Sequence, residues 1–246
     1  MPTLFLSPST QEFNNFVGGG TEEYYMNLIA DEMIPYLRSS GIKYERNNPS
    51  ESLSQIINQS NAGRNDLHLA IHSNASPESL SGILKGTDIY YYPASEESER
   101  AADIIASNFR KIYPNPSAVK AVPTTDLAEI RRTRAPAVLI EVAYHDNVED
   151  AQWIRDNTEE IAKNLVQSVT QFFDIPFIEP RPEREGLVSL TTGTLNIRNR
   201  PNPTATILTM VPNGAKVRVI NEWQDWYIVE YNDIIGYARS DYITLL

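Results

Sequence analysis

Leu67-His68-Leu69-Ala70-Ile71-His72-Ser73-Asn74-Ala75-Ser76 is an apolar run, interrupted by a histidine, that gives way to polar residues at a second histidine. A short apolar run of this kind predicts a buried strand over 67–71. His72 stands where the run ends, and functional groups in a parallel sheet gather at the carboxyl ends of its strands. His68 shares its parity and lies inside the strand. Four residues of strand span about 13 Å, so the two imidazoles cannot ligate one ion. His72 is therefore a ligand candidate, and His68 reads as a satisfied histidine of the interior.

Around this strand, apolar runs alternate with longer amphipathic stretches. Leu4-Phe5-Leu6 predicts a first strand. Residues 22–39 predict a helix, with Met26, Ile29, Ala30, Met33 and Leu37 at helical spacing and Pro35 as a possible kink. A strand at 89–92, a helix at 96–112, a strand at 137–144 and a helix at 148–173 follow. Strands alternating with helices imply an α/β layer structure, a mostly parallel twisted sheet flanked by helices. Ile175–Gly186 holds three prolines and five charged residues and reads as a stiff, exposed linker. Beyond it, short strands at 195–198, 216–220, 226–231 and 236–238, separated by turn residues, predict a small all-β barrel. The expected division is a first domain at 1–176, a linker at 177–185 and a second domain at 186–246.

The chain has 246 residues, enough for two cores, and carries a net charge of −11. Residues 186–246 contain five basic and five acidic residues, so the whole excess lies in the first part. That acidity argues against nucleic acid as a partner. No apolar run approaches the ~20 residues that span a bilayer, and Met1–Thr10 lacks the pattern of a signal peptide. The chain has no cysteine, so any metal must be held by nitrogen and oxygen.

Two further stretches carry chemistry. In Pro136–Asn147 a carboxylate, Glu141, interrupts a nearly continuous apolar strand, and a buried Glu is costly unless it is paired, protonated or near a metal. Taken alone, Glu141 is better read as the partner of an arginine such as Arg131 or Arg134. His145 follows on the same parity. In Gly18-Gly19-Gly20-Thr21-Glu22-Glu23, Thr21 is a plausible cap, and acids in a first turn suit the helix dipole.

Together, Ser60–Ala75 and Pro136–Asn147 resemble, in order and spacing, two sequence blocks of the zinc-dependent N-acetylmuramoyl-L-alanine amidases, the family called amidase type 3. The resemblance covers about residues 3–174. It implies zinc as cofactor, His72 and a helix-opening acid as ligands (Glu22 rather than Glu23), and Glu141 as the catalytic carboxylate. It implies hydrolysis of the amide between N-acetylmuramic acid and L-alanine in peptidoglycan, at the bacterial cell wall and without membrane insertion. The family's first-loop histidine has no counterpart among Leu6–Glu12, where Thr10 aligns. His145 swinging in, Gln11 or Glu12 standing in, or a degenerate site would each account for this; His145 is the better zinc donor. With a degenerate site, the chain would be a wall-binding or regulatory protein on the same scaffold. A metallopeptidase acting on the stem peptide is a further rival. Residues 186–246 resemble a bacterial SH3-like domain, in Leu195–Pro201, Asp225–Val229 and Gly236–Ala238. Trp223, Trp226 and Tyr237 would there form either a ligand groove or core.

Overall fold

The computed structural model describes all 246 residues. They divide into two compact units: Thr3–Ile34 with Tyr44–Phe172, and Met1–Pro2 with Pro35–Lys43 and Phe173–Leu246.

The first sheet contains β1 (Thr3–Pro8), β2 (Lys43–Arg46), β3 (Leu67–Asn74), β4 (Thr87–Tyr91), β5 (Val119–Pro123) and β6 (Ala137–Tyr144), in the order β2-β1-β3-β6-β4-β5. β1 with β3, β3 with β6, and β4 with β5 are parallel; β4 and β6 are antiparallel. β3 and β6 lie in the middle of the sheet. Their apolar side chains, from Leu67 to Ile71 and from Ala137 to Ile140, are buried on both faces. Strands covered on both sides need continuous apolar sequence, and that made these two readable. The helices are α1 (Glu22–Ser39), α2 (Leu53–Ala62), α3 (Glu96–Phe109), α4 (Ala128–Arg132), α5 (Val148–Asp156) and α6 (Thr158–Phe173). Met26, Ile29, Ala30 and Met33 of α1 are fully buried, so its apolar stripe faces the core, and the helix runs through Pro35.

The single helix expected over 148–173 is two. Asn157 leaves helical geometry at φ −130° and its Nδ2 donates to Trp153 O at 2.7 Å, closing α5. Its own carbonyl then accepts from Ile161 N at 2.9 Å and opens the next helix.

The second unit holds β7 (Arg184–Val188), β8 (Thr194–Arg198), β9 (Ile207–Pro212), β10 (Lys216–Trp223), β11 (Trp226–Tyr231), β12 (Ile234–Arg239) and β13 (Ile243–Leu245). They form one antiparallel sheet in the order β13-β7-β10-β11-β12-β8-β9. Val188, Leu195, Ile197, Val211, Val219 and Val229 fill its core. Of the segment expected to be an exposed linker, residues 179–185 are exposed, and its start is tied into this unit. Ile178 packs with Ile220, Trp226, Ile228 and Tyr237, and Asn221 Nδ2 donates to Glu179 O at 2.6 Å. Tyr237 is fully buried, with its hydroxyl donating to Ser40 O at 2.8 Å. Of the three aromatic residues considered for a groove, Tyr237 and Trp226 are core and Trp223 is exposed.

Candidate active site

The first acid of α1 is placed by its approach loop. Gly18, Gly19 and Gly20 take φ values of 88°, 109° and 86°, a left-handed region that strains any residue with a Cβ. Thr21 Oγ1 then accepts from Tyr24 N at 3.2 Å and caps the helix. Glu22 is 1% exposed, and its Oε1 lies 2.9 Å from His72 Nδ1 while its Oε2 accepts from Asn14 Nδ2 at 2.6 Å. Burial alone would raise the Glu22 carboxyl, but the His72 hydrogen bond and charge, with Asn14 and Ser9, hold it below its ordinary value. Glu22, and not Glu23, is thus the acid at His72.

His72 comes from the end of β3, paired in register with Glu141 on β6. Burial opposes its charge, yet the Glu22 hydrogen bond and the charges of Glu141, Glu22 and Glu129 push the imidazole up to about 9. Glu141 behaves in the opposite way. Burial pushes its carboxyl up to about 7, with His72 pulling down and Glu22 and Asp88 pushing further up. Its Oε2 is buried and has no hydrogen-bond partner. Neither Arg131 nor Arg134 pairs with it. Glu22 and Glu129 each lie within hydrogen-bond distance of a histidine, and Glu141 Oε2 has no such partner.

Gln11 meets the same nitrogen of His72 as Glu22 does. Its Nε2 is 3.3 Å from His72 Nδ1 and 3.5 Å from Glu22 Oε1. His72, Gln11, Glu129 and Glu141 line a cavity of about 330 Å³ together with Ser7 and Leu139.

His145 is elsewhere. Its Nδ1 lies 3.0 Å from both the hydroxyl and the carbonyl oxygen of Ser73, and its ring stacks on Phe16 at 5.5 Å between centroids. No three His, Asp or Glu side chains converge as a metal site would require. The expected trio of Glu22, His72 and His145 is therefore not assembled. The bulge between His72 and Asn74 in the β3–β6 pairing accompanies this turn of His145 toward Ser73.

The residues present nonetheless fit a metal once an amide is admitted. The Gln11, Glu22 and His72 atoms form a triangle with edges of 2.9, 3.3 and 3.5 Å. Three ligands of a tetrahedral zinc at 2.0–2.1 Å stand about 3.3 Å apart. An oxygen donor reaches the third corner only if the Gln11 amide turns over, which exchanges its Nε2 and Oε1 and gives up the hydrogen bond that Gln11 Oε1 accepts from Asn14 Nδ2 at 3.1 Å. The partnerless Glu141 Oε2 is a second sign that these groups suit a polar occupant.

Glu129 carried no signal in the sequence. It sits in the five-residue helix α4, whose sequence AEIRR looks like a solvated turn. In the structure it is 5% exposed and faces His72. His68 is fully buried and bonded to Glu129 and Ser60.

The fold and the cluster at the strand ends define an α/β protein of amidase type with an all-β companion. The first-unit fold is that of N-acetylmuramoyl-L-alanine amidase AmiC2 of Nostoc punctiforme, with a TM-score of 0.62 at 14% identity, covering 70% of this chain and 97% of that one. Residues 11–171 match the family model for N-acetylmuramoyl-L-alanine amidase, and the chain belongs to that family. Residues 193–244 match the bacterial SH3 domain. The chain is 27% identical over 164 residues to N-acetylmuramoyl-L-alanine amidase LytC of Bacillus subtilis, covering 62% of this chain and 31% of LytC. It is 23% identical over 211 residues to an uncharacterized protein of Clostridium perfringens, covering 77% of this chain and 62% of that one. The chain thus spans less than two thirds of either relative.

Proposed function

We propose that the protein is a cell-wall hydrolase that cleaves the amide between N-acetylmuramic acid and L-alanine of peptidoglycan, with zinc held by Gln11, Glu22 and His72. The observation that carries this reading is Glu141: a carboxyl whose Oε2 is buried and partnerless, in the cavity that His72 lines. A carboxyl with an unengaged oxygen in the cavity can accept a proton and return it. Bound at the triangle, zinc would supply Lewis acidity toward the amide carbonyl and a water.

The chain's own residues do the rest. Glu141 Oε2 takes a proton from the water as its oxygen adds to the lactyl carbonyl. The same atom returns the proton to the alanine nitrogen as the C–N bond breaks, leaving a lactyl carboxylate and a free amine. Glu22 is held in its charged form, and His72 is fixed by Glu22 at the strand mouth. The division into a catalytic domain at 1–176 and an SH3-like domain at 186–246 that holds the wall belongs to the same reading; attachment raises local substrate concentration.

The test is digestion of purified sacculi followed by mass spectrometry. Released intact peptides beginning with alanine are expected, whereas cuts inside the stem peptide would replace the amidase reading with a peptidase. Glu141→Gln should abolish release while calorimetry still finds zinc bound. Gln11→Ala should weaken zinc and His145→Ala should leave it unchanged; the reverse order would return the third corner to His145.

A further inference from the structure

Among the acids lining the cavity, Glu129 has no part in the reaction proposed above. It is nevertheless held as firmly as Glu22. Its Oε1 accepts from Ser7 Oγ at 2.6 Å and lies 3.0 Å from His68 Nε2. His68 is itself fixed, with Nδ1 2.9 Å from Ser60 Oγ and its ring stacked on Phe5 at 5.1 Å between centroids. The other oxygen, Oε2, faces His72 Nε2 across 3.9 Å.

The result is a carboxylate that straddles the two histidines of β3. Those imidazoles are too far apart in a strand to share an ion, but one acid on a facing helix reaches both. His72 has two ring nitrogens with different neighbours: Nδ1 looks at Glu22 and Gln11, and Nε2 looks at Glu129. Which nitrogen of a ligating histidine faces a metal is set by the hydrogen bond that the other nitrogen makes.

We propose that Glu129, anchored by Ser7 and His68, is a positioning residue whose Oε2 receives the Nε2–H of His72 and so fixes that ring with Nδ1 turned toward Glu22 and Gln11. The 3.9 Å separation is about 1 Å longer than a hydrogen bond, so the proposal requires Oε2 and Nε2 to approach by that much while Oε1 keeps its bonds to Ser7 and His68. His68 and Ser60 then act behind Glu129, holding the acid and not the ligand. The inference rests on the metal reading for its consequence, but its physical content is the orientation of His72.

Full-length protein labelled with 15N-histidine decides it, with the His72 ring signals assigned through His72→Gln. In Glu129→Gln the Nε2–H resonance of His72 should move upfield and exchange faster, without and with zinc, while the His145 signals stay in place. Zinc affinity by calorimetry should fall 10- to 100-fold, the usual cost of losing such a partner. Ser7→Ala, which removes one anchor of Glu129 and leaves both histidines intact, should shift the His72 signal in the same direction and by less. It serves on its own if Glu129→Gln fails to fold. Unmoved His72 signals with unchanged zinc affinity would overturn the positioning role and leave the metal reading intact. A parent protein that takes up no zinc, yet whose His72 signal responds to both variants, would uphold the positioning role and overturn the metal reading.

Discussion

At the scale of the residue, one strand end brings together three carboxyls, and their partners set them apart. Glu22 and Glu129 touch histidines and are held below their ordinary value, while Glu141, whose Oε2 has no hydrogen-bond partner, is raised by burial. That difference has a measurable consequence in metal-free protein. A carboxyl raised from 4.5 to about 7 gains nothing from folding once it is ionised. Below pH 4.5 both the folded and the unfolded chain carry the proton, and Glu141 costs nothing. Between 4.5 and about 7 the folded chain keeps a proton that the unfolded chain has released, so stability declines as pH rises. Above about 7 the full penalty applies, about 3 kcal/mol. Urea denaturation in EDTA should therefore find Glu141→Gln more stable than the parent at pH 8 by roughly this amount, and the two should converge near pH 4. Equal stabilities at pH 8 would mean that Glu141 has a partner in solution. The sequence already marked Glu141 and His72 as residues out of keeping with buried strands. Glu129 was not legible, because a Glu between an alanine and Ile-Arg-Arg carries no mark of burial. Gln11 was legible only as one of several substitutes, since nothing in its own sequence says which way its loop turns.

At the scale of the element, the parts that could be read in the sequence are those whose burial forces a pattern. β3, β6 and α1 are covered by neighbours, and their apolar spacing follows from it. β2, β5 and α4 are short and partly exposed, so their sequences carry little periodicity. β7, β9 and β13 escaped for the same reason, and Asn157 broke a helix whose apolar spacing continues across the break. The approach to α1 is the element on which the candidate site depends most. A Cβ on Gly20 would lie 2.5 Å from the Tyr25 ring, at φ 86°. Both effects displace the start of the helix, and with it Glu22. Gly20→Ala is expected to cost about 1–2 kcal/mol from the backbone alone and to weaken zinc more than it weakens the fold. Gly19 is a fitting control, since nothing lies within 4 Å of a Cβ there, although its φ of 109° strains alanine as well. Comparable backbone strain with little loss of zinc in Gly19→Ala would isolate the effect of moving Glu22; equal losses of zinc in both variants would remove the loop from its proposed role.

At the scale of the whole molecule, the segment Ile175–Gly186 joins a buried start to an exposed run: residues 179–185 are exposed, as its composition predicts, while Ile175 and Ile178 are buried. Its three prolines and five charges predicted exposure, but composition does not report which side chains a stretch buries. Ile178 is 6% exposed among Ile220, Trp226, Ile228 and Tyr237, and its backbone N–H donates to Ser40 Oγ at 3.1 Å. Around it, Arg181 pairs with Glu222, and Arg38 with both Glu183 and Glu230. These ion pairs are partly exposed and add little, so the apolar contact of Ile178 is the decisive term. A freely exposed linker isoleucine would tolerate truncation within about 0.5 kcal/mol. A buried one loses its transfer free energy and leaves a cavity, about 2–4 kcal/mol for Ile→Ala. Urea denaturation of Ile178→Ala in the 246-residue chain, followed by tryptophan fluorescence, should show the larger loss. A loss below about 0.5 kcal/mol for Ile178→Ala would restore the reading of a wholly exposed segment.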